Sequence, residues 1–519
     1  MTQDMNPAAA TRKSQLWSGQ FGFIIAAIGS AVGLGNIWRF PGVAYSNGGG
    51  AFMIPYLFAL ITAGIPILFL DYVIGHRYQG SAPLAFRRIK SWLEPLGWFQ
   101  VMICFFIALY YAVILAWAAS FFVFSFSTAW GADPTDFFYN SFLQMPETPT
   151  VSIQPVPGVM IPLIIIWVVS IAVLALGVTK GVEKANIIFL PLLVVAFLIL
   201  VVRAIFLPGA LDGLNALFTP DFDALLKPEV WISAYSQIFF SLSIAFGIMI
   251  TYASYRKRKA NQTAPGLVVA FANSSFELLA GIGVFSVLGF MAAGQPFAEF
   301  SANSKITGPG LSFITFPKVI SEMPGGWFFG ALFFGSLLMA GFTSMISITQ
   351  VVSSAFQDKF KMKPAKASIT TGSVIAVISI VLFGTTTGMY VLDIVDNWAN
   401  NIGIVLSAIL MILGCFWVLR KQGEFAYHLS SLSTFKVGRI WSLLLTWLAP
   451  LLLGYMLVQV SVGILTNGYD GYPDWMVNVF GWGQTLVCVV GALVFTKLKW
   501  PFKPDDFQPW PVYVKEELR

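Results

Sequence analysis

The chain has 519 residues, of which 57% are hydrophobic and only 10% are charged. This composition is far from that of soluble proteins, so the length does not predict a set of soluble domains. The net charge of +6 would suit a nucleic-acid partner. The basic residues lie in alternate loops between apolar stretches, however, and this distribution excludes such a partner.

Apolar stretches of about 20 residues, long enough to cross a bilayer, recur along the whole sequence. We place twelve of them near residues 17–45, 51–76, 97–126, 158–179, 186–208, 231–255, 264–294, 326–357, 367–386, 390–419, 438–466 and 474–498. Because no long linker separates them, we predict a single transmembrane domain over residues 1–519. Its predicted fold is all-α, with about twelve membrane helices and short termini.

Lysines and arginines indicate which loops face the cytoplasm. They cluster in alternate loops, for example at Arg87 and Arg88 and from Arg256 to Lys259, whereas the intervening loops carry aspartates. The positive-inside rule therefore predicts that both termini are cytoplasmic, which agrees with an even number of spans. The external loop near 127–157 contains no cysteine and no glycosylation sequon. These features favour a multi-pass protein of the bacterial cytoplasmic membrane.

The first span contains residues that a continuous membrane helix avoids. Gly29, Ser30 and Gly33 weaken its middle, and Asn36 and Arg39 follow. In hydrocarbon an unpaired backbone group is costly, so irregular backbone survives only where it lines a cavity or binds something. Small residues four apart also suit helix packing, but packing alone does not require the asparagine and the arginine. We therefore predict an unwound segment with a binding site at mid-membrane.

The sixth span has a second interruption, with Ser241, Ser243 and Gly247 at its middle. Helix packing is again an alternative for this segment. Spans 1 and 6 would each open a half of five spans, and an odd number of spans per half makes the halves opposite in orientation. Broken helices at matching positions of inverted repeats indicate a transporter binding site. The predicted repeats cover about 17–208 and 231–419, with the last two spans over about 438–498.

Two such breaks offer a particular combination of polar groups. Backbone N–H groups at the start of a helix bind anions such as a carboxylate. Free carbonyls and asparagine side chains bind hard cations, which prefer oxygen ligands. This combination favours a zwitterion that binds together with a metal cation.

Other polar residues inside the spans admit two interpretations each. Asn273 and Glu277 lie four apart on one helical face, where they could form a structural polar network or contribute to an ion site. Thr343 and Ser344 are adjacent hydroxyls in the eighth span, and such hydroxyls often bond back to their own helix instead of binding a ligand.

Two charged residues stand at the external ends of spans. Arg39 ends the first span and Asp396 begins the tenth. An ion pair between them would serve as a gate at the mouth of the site, although a permanent structural pair would have the same sequence.

Several motifs occur in one order along the chain. They are Ala31–Pro41, Asn47–Phe52, Phe239–Ser243, Thr251–Tyr255 and Ala340–Ser344, with Asp71 and Tyr111 between them. Together they resemble the neurotransmitter:sodium symporter family, in particular its bacterial, leucine-transporter-like amino-acid members. The resemblance extends from Trp17 through the twelfth span.

The resemblance implies two sodium ions and one amino-acid site. One sodium ion would use Ala31, Asn36, Ser241, Asn273 and the substrate carboxylate; the other would use Gly29, Val32, Ala340, Thr343 and Ser344. The substrate would contact Ser30, Ala31, Gly33, Leu34, Gly35, Ile107, Tyr111, Phe240, Ser241, Ser243, Phe246 and Ile348. Because the substrate carboxylate completes a sodium site, the resemblance also implies that the two bind cooperatively.

The resemblance also implies two gates. Arg39 and Asp396 would close the outer side, while Trp17, Tyr255 and Asp358 match positions of the inner gate. Here the sequence departs from the family, because Ser14 stands where an arginine is usual. Either Arg12 or Lys13 is expected to pair with Asp358, and the sequence leaves both open.

Two positions refine the predicted function. Gly33 stands where the monoamine carriers of the family have an aspartate, which favours a substrate with its own carboxylate. Glu277 stands where chloride-dependent members have a serine, so its carboxylate would replace the anion. We predict sodium-coupled import of a neutral, hydrophobic amino acid by alternating access, independent of chloride.

Alternative functions are an amino-acid sensor that does not transport, a proton-coupled permease of the same architecture, and a channel. An enzyme is not indicated, because the two histidines, His76 and His428, lie near cytoplasmic loops and no nucleophile or redox-metal cluster is present.

Overall fold

The computed structural model describes residues 16–292 and 295–513, and these residues are almost entirely helical. No β-strand occurs among them; two isolated bridges join Gly49 to Pro220 and Pro155 to Thr385. The prediction of an all-α membrane fold is therefore confirmed.

Ten continuous helices in the described residues are long and apolar enough to cross a membrane. They are Gly50–Tyr78 (span 2), Ser91–Ser125 (span 3), Pro157–Ala175 (span 4), Val178–Ile205 (span 5), Thr263–Met291 (span 7), Gly326–Phe360 (span 8), Pro364–Phe383 (span 9), Gly388–Val418 (span 10), Arg439–Asn467 (span 11) and Asp474–Lys497 (span 12). Each matches one of the apolar stretches located in the sequence.

The two remaining stretches are the ones predicted to unwind. Span 1 is a pair of helices, Gln20–Ala31 (1a) and Leu34–Ser46 (1b), bent by 50° at the break between them. Span 6 consists of Pro228–Ser241 (6a) and Ile248–Ser254 (6b), and neither half reaches the length of a membrane span on its own. Both spans are thus interrupted, as the sequence predicts.

Burial separates the inner spans from the outer ones. In spans 2 and 3, 83% of the most apolar window is buried inside the protein, against 22% in spans 11 and 12. A helix that is apolar all round is buried in the protein or faces lipid, so spans 11 and 12 form part of the lipid-facing surface. The core therefore lies around spans 1, 2, 3, 6 and 8, where the breaks are.

The longer loops carry short helices. On the predicted external side these include Ala210–Phe218, Phe297–Asn303 and Phe316–Glu322, and on the predicted cytoplasmic side Ala82–Ile89 and Gln422–Leu432. The division into repeats at about 17–208 and 231–419 stays a prediction, as does the single domain over 1–519.

Candidate functional site

The break in span 1 is short and is capped from within the same segment. Val32 and Gly33 have extended backbones, with φ/ψ of −76°/97° and −130°/−164°. The side chain of Asn36 turns back, and its Oδ1 accepts a hydrogen bond from the N–H of Gly33 at 2.8 Å. The N–H of Leu34 donates to the hydroxyl of Tyr111 at 3.4 Å. Two of the backbone donors freed by the break therefore have partners, one of them from span 3.

The break in span 6 is longer and is held by other spans. Residues 242–247 separate 6a from 6b, and Ser243, Ala245 and Gly247 have positive φ values of 55°, 66° and 92°. This left-handed conformation is free of strain only for glycine, so Ser243 and Ala245 adopt it because their surroundings require it.

Three side chains from three spans bind the backbone of this second break. The N–H of Ala245 donates to Asp71 of span 2 at 2.8 Å, and Ser407 of span 10 donates to the carbonyl of Ala245 at 2.6 Å. The thiol of Cys104 in span 3 donates to the carbonyl of Phe246 at 3.0 Å. Buried backbone groups without a helical partner are thereby satisfied.

The two breaks lie against each other. Ser243 donates to the carbonyl of Ser30 at 3.0 Å, and Ser344 of span 8 donates to the same carbonyl at 3.2 Å. A Cβ atom on Gly33 would stand 2.8 Å from Ser344 Oγ and 3.1 Å from the hydroxyl of Tyr111. Spans 1, 3, 6 and 8 therefore meet at one buried point.

Hydrogen bonds between two amides and a hydroxyl join three of the residues predicted for the first sodium site. The Nδ2 of Asn36 donates to Oδ1 of Asn273 at 2.8 Å, and the Nδ2 of Asn273 donates to Ser241 Oγ at 3.0 Å. All three side chains are buried. Such a cluster places several oxygen atoms of spans 1, 6 and 7 close together, and a hard cation prefers oxygen ligands.

The residues predicted for the second sodium site lie where spans 1 and 8 approach. A Cβ atom on Gly29 would be 3.5 Å from Cβ of Thr343, so these two residues are neighbours. Thr343 and Ser344 both bond back to the carbonyl of Ala340, at 2.9 and 3.3 Å. Both hydroxyls therefore bond to their own helix, and their use as cation ligands stays a prediction. Val32 is buried at the break.

The remaining residues predicted to contact the substrate are buried or half-buried. A Cβ atom on Gly35 would fall 2.0 Å from the ring of Phe240, which shows that this ring packs directly on helix 1b. Buried residues of the predicted pocket are Ser30, Ala31, Ile107, Phe246 and Ile348. Their contact with a substrate stays a prediction.

Glu277 is fully buried and hydrogen-bonded. Gln237 of helix 6a donates to its Oε1 at 2.6 Å, and the hydroxyl of Tyr56 contacts its Oε2. A lysine or arginine within ion-pair distance does not occur among the described residues. The carboxylate therefore belongs to a polar network that reaches span 6, and any role as an ion substitute comes in addition to this network.

The predicted outer gate is not a direct ion pair in the described structure. The guanidinium of Arg39 donates to Ser236 at 3.1 Å and lies 4.9 Å over the ring of Phe240. The carboxylate of Asp396 accepts from Asn400 at 2.8 Å. Both charged residues are half-buried and have other partners, which is the physical reason that they do not meet. Their gating role stays a prediction.

The predicted inner gate is tightly connected. Trp17 is buried, and its indole N–H donates to the carbonyl of Tyr252 at 2.8 Å. Its backbone N–H donates to the carbonyl of Tyr255 at 3.1 Å. Gln350 donates to the hydroxyl of Tyr255 at 3.1 Å. The two bonds of Trp17 tie the segment before helix 1a to span 6, and the bond of Gln350 ties span 8 to span 6.

The partner predicted for Asp358 cannot be compared with the structure. Asp358 accepts a hydrogen bond from the N–H of Ser81 at 2.7 Å. Arg12, Lys13 and Ser14, however, lie outside the described residues. The choice between the two basic residues therefore stays open.

Sequence reasoning missed some residues that hold the site. Asp71 served only as a family marker, although a lone carboxylate in an apolar span is itself a signal of function. Gln237 and Tyr56, which bind Glu277, carried no comparable signal, because an amide or a phenol in a membrane helix is common. Only the packing of the spans shows what they contact.

Comparisons with known proteins agree with this architecture. The model of the sodium:neurotransmitter symporter family matches residues 14–133 and 131–501. An uncharacterized sodium-dependent transporter of Methanocaldococcus jannaschii is 39% identical over 488 residues, covering 93% of this chain and 97% of that protein. The sodium-dependent neutral amino acid transporter B(0)AT3 of Rattus norvegicus is 28% identical over 531 residues, covering 88% of this chain and 86% of that protein.

A solved structure shares the fold. The crystal structure of MhsT in complex with L-phenylalanine matches with a TM-score of 0.73 and 30% sequence identity, covering 86% of this chain and 99% of that chain. The resemblance stated from the motifs is thereby confirmed. The chain belongs to the sodium:neurotransmitter symporter family and is a sodium-dependent, multi-pass membrane transporter, not an enzyme.

Proposed function

We propose that this transporter imports a neutral, hydrophobic amino acid together with two sodium ions across a bacterial cytoplasmic membrane. Both of its termini would lie in the cytoplasm. The observation that carries this proposal is the meeting of the two broken spans at Ser30 and Ser243, beside the amide chain of Asn36 and Asn273.

Coupling follows from the chemistry of that meeting point. A substrate carboxylate would face the N–H of Leu34 and the hydroxyl of Tyr111, while its charge would complete the oxygen shell of a sodium ion near Asn36. Each ligand then raises the affinity for the other by the same factor. Two sodium ions that enter with a zwitterion gain about 4.6 kcal/mol per 100 mV of inside-negative potential, since each charge gains roughly 2.3 kcal/mol.

The substrate class rests on the pocket and on the relatives. Ile107, Phe246 and Ile348 offer apolar surface, and the Ser243 hydroxyl is already bonded to the carbonyl of Ser30, which leaves little to recognise a polar side chain. B(0)AT3 is a neutral amino acid transporter by name, and MhsT was crystallised with L-phenylalanine. These observations support a neutral, hydrophobic substrate over a charged one.

Uptake into proteoliposomes tests this function. Purified protein should accumulate a labelled neutral amino acid in a saturable way when sodium is outside, and not when potassium replaces it. Competition by the other nineteen amino acids identifies the preferred side chain. Binding without accumulation would instead indicate a sensor, uptake driven by a proton gradient in potassium would indicate a proton-coupled permease, and unitary currents would indicate a channel.

Chloride independence is the second part of the proposal. The buried carboxylate of Glu277 lies in a network with Gln237 and Tyr56, where it would supply the negative charge that balances two sodium ions. Replacement of chloride by gluconate should therefore leave wild-type uptake unchanged. In E277S, which removes the charge and opens space for an anion, uptake should fall in gluconate and recover in chloride.

The matched control is E277Q, which keeps the size of the side chain but removes its charge. Because an amide fills the space that the anion needs, uptake by E277Q should be low in both salts. Severalfold lower wild-type uptake in gluconate would contradict the proposal, and so would an E277S variant that ignores chloride.

A further inference from the structure

Span 5 carries two polar side chains that lie against glycines of helix 1a. A Cβ atom on Gly22 would lie 2.1 Å from Oε1 of Glu183, and a Cβ atom on Gly29 would lie 2.0 Å from Oδ1 of Asn186. Both distances are far shorter than a real Cβ contact, so glycine at these positions lets the carboxylate and the amide lie against the helix. Because Glu183 and Asn186 are three residues apart, they share one face of span 5.

The two side chains differ in how their oxygen atoms are satisfied. Glu183 accepts hydrogen bonds from the backbone N–H of Ser18 at 3.0 Å and from the hydroxyl of the same residue. Asn186 is fully buried, and its Nδ2 donates to the carbonyl of Val182 at 2.8 Å. Among the residues that the structure describes, its Oδ1 has no hydrogen-bond partner. The Cα of Gly29 can offer this oxygen only a weak C–H contact.

This buried oxygen lies beside the residues predicted for the second sodium site. The Cβ position on Gly29 is also 3.5 Å from Cβ of Thr343. Close by, the rings of Phe189 in span 5 and Phe342 in span 8 are in contact, with centroids 5.6 Å apart. Spans 1, 5 and 8 therefore converge at Gly29. A buried polar atom without a partner in the protein calls for a water molecule or an ion, and a hard cation prefers oxygen ligands.

We propose that Asn186 belongs to the second sodium site and raises its affinity, an inference that rests on the proposed function for the presence of that ion. Its Oδ1 would bind the ion or a water molecule that the ion holds, and in both cases the negative end of the amide dipole stabilises the cation. The Nδ2 bond to Val182 fixes the amide with its oxygen toward Gly29. The resemblance takes the ligands of this site from spans 1 and 8 alone, so Asn186 adds span 5 to it.

Thermal unfolding in sodium and in potassium tests this role on the full-length protein. An ion that binds only the folded state raises the unfolding temperature. Without amino acid the first sodium site lacks the substrate carboxylate, so the rise caused by sodium reports chiefly the second site. N186L removes the amide but keeps the branched shape. The sodium concentration that gives half of the rise should increase about 10–100-fold in N186L, the range seen when groups supporting a metal site are lost.

The same variant in potassium distinguishes a sodium role from a structural one. An unpartnered buried oxygen destabilises the folded protein, so N186L in potassium should unfold at the wild-type temperature or above it. A structural role predicts a lower temperature in both salts. N186A makes the same comparison without requiring that a leucine fits, and N186D, which keeps an oxygen at this position, should retain the response to sodium.

The matched control is S336A. It removes another buried oxygen that has no hydrogen-bond partner in the described part of the chain, and Ser336 lies on span 8 seven residues before Thr343, which is about two helical turns away. Its sodium requirement should equal that of the wild type. An equal loss of sodium affinity in S336A and N186L would overturn the proposal, because the effect would then not be specific to the oxygen beside Gly29.

Two further outcomes would also overturn it. One is an unchanged sodium requirement in both N186L and N186A, and the other is an equal loss of stability in sodium and in potassium. In either case a wild-type protein that sodium stabilises leaves the proposed function standing. A wild-type protein that sodium does not stabilise would contradict the proposed function and this inference together, so the two failures are distinguishable.

Discussion

The two breaks at the centre of this protein are built in different ways. In span 1 the break covers Val32 and Gly33, needs no positive φ, and is capped by Asn36 three residues later. In span 6 it covers residues 242–247, includes Ser243 and Ala245 in left-handed conformation, and has its backbone bound by side chains of spans 2, 3 and 10. The first break is a local structure, and the second is imposed by the surrounding protein.

This difference has a physical origin. A break of two residues frees few backbone groups, so one side chain close in sequence satisfies much of what is lost. A break of six residues frees more N–H and C=O groups than nearby side chains can reach, and each one left unpaired in the membrane is costly. Partners from other spans are then required, so the second break should depend on the packing of the whole bundle.

The largest expected effect is that of N36A on the first break. Asn36 caps Gly33 and bonds to Asn273, so its loss should weaken sodium binding at least about 10–100-fold, the range seen when groups supporting a metal site are removed. Sodium titration of substrate binding measures the affinity. Hydrogen exchange should rise at residues 33–38 and stay unchanged at 242–247.

The control for this variant is N47A, which removes an asparagine hydrogen bond to Val43 directly after the end of helix 1b. Sodium affinity should be unaffected by it. Faster hydrogen exchange at both breaks in N36A would show that the break in span 1 is not a local structure and that the two breaks are not held independently.

A smaller effect is expected from D71A on the second break. The carboxylate of Asp71 accepts from the N–H of Ala245, and removal of that acceptor leaves a buried donor unpaired at a cost of about 1–3 kcal/mol. Thermal unfolding should occur at a lower temperature, and hydrogen exchange should rise at residues 242–250 while the first break stays protected. Uptake of the substrate should also fall in D71A, because the second break lines the proposed site.

D71N is the matched control, since its amide oxygen can still accept from Ala245. It should retain most of the stability that D71A loses. If D71A and D71N unfold at the same temperature, the hydrogen bond to Ala245 does not hold the second break, and another cause must be sought for the left-handed backbone there.

The smallest effect is expected from glycine substitutions. Ala245 has a φ of 66°, where an L-residue is strained by about 1–2 kcal/mol, so A245G should be neutral or slightly stabilising. Ala31 ends helix 1a with an ordinary helical backbone, and A31G should destabilise by roughly 0.5–1 kcal/mol, the cost of glycine relative to alanine in a helix. Thermal unfolding of the two variants compares them directly. Equal destabilisation by both would mean that the second break stores no strain.

Much of the architecture could be predicted from residue order. Apolar stretches located all ten continuous spans, because a helix must be apolar over the full thickness of the bilayer. Glycine and serine at mid-span located both breaks, since irregular backbone in a membrane implies a site. The motifs around Asn36 and Thr343 identified the family, which the comparisons confirmed.

How these parts are held depends on the packing of the helices. That Asp71, Cys104 and Ser407 bind the second break, that Gln237 binds Glu277, and that Arg39 bonds to Ser236 instead of Asp396 all depend on which helices lie side by side. Periodicity and composition describe one helix at a time, and many packings of twelve apolar helices satisfy them equally well. Residue order established where the chain crosses the membrane and where it unwinds. Contacts between distant residues decided which polar groups meet there, because hydrogen bonds depend on distances that only the packed bundle defines.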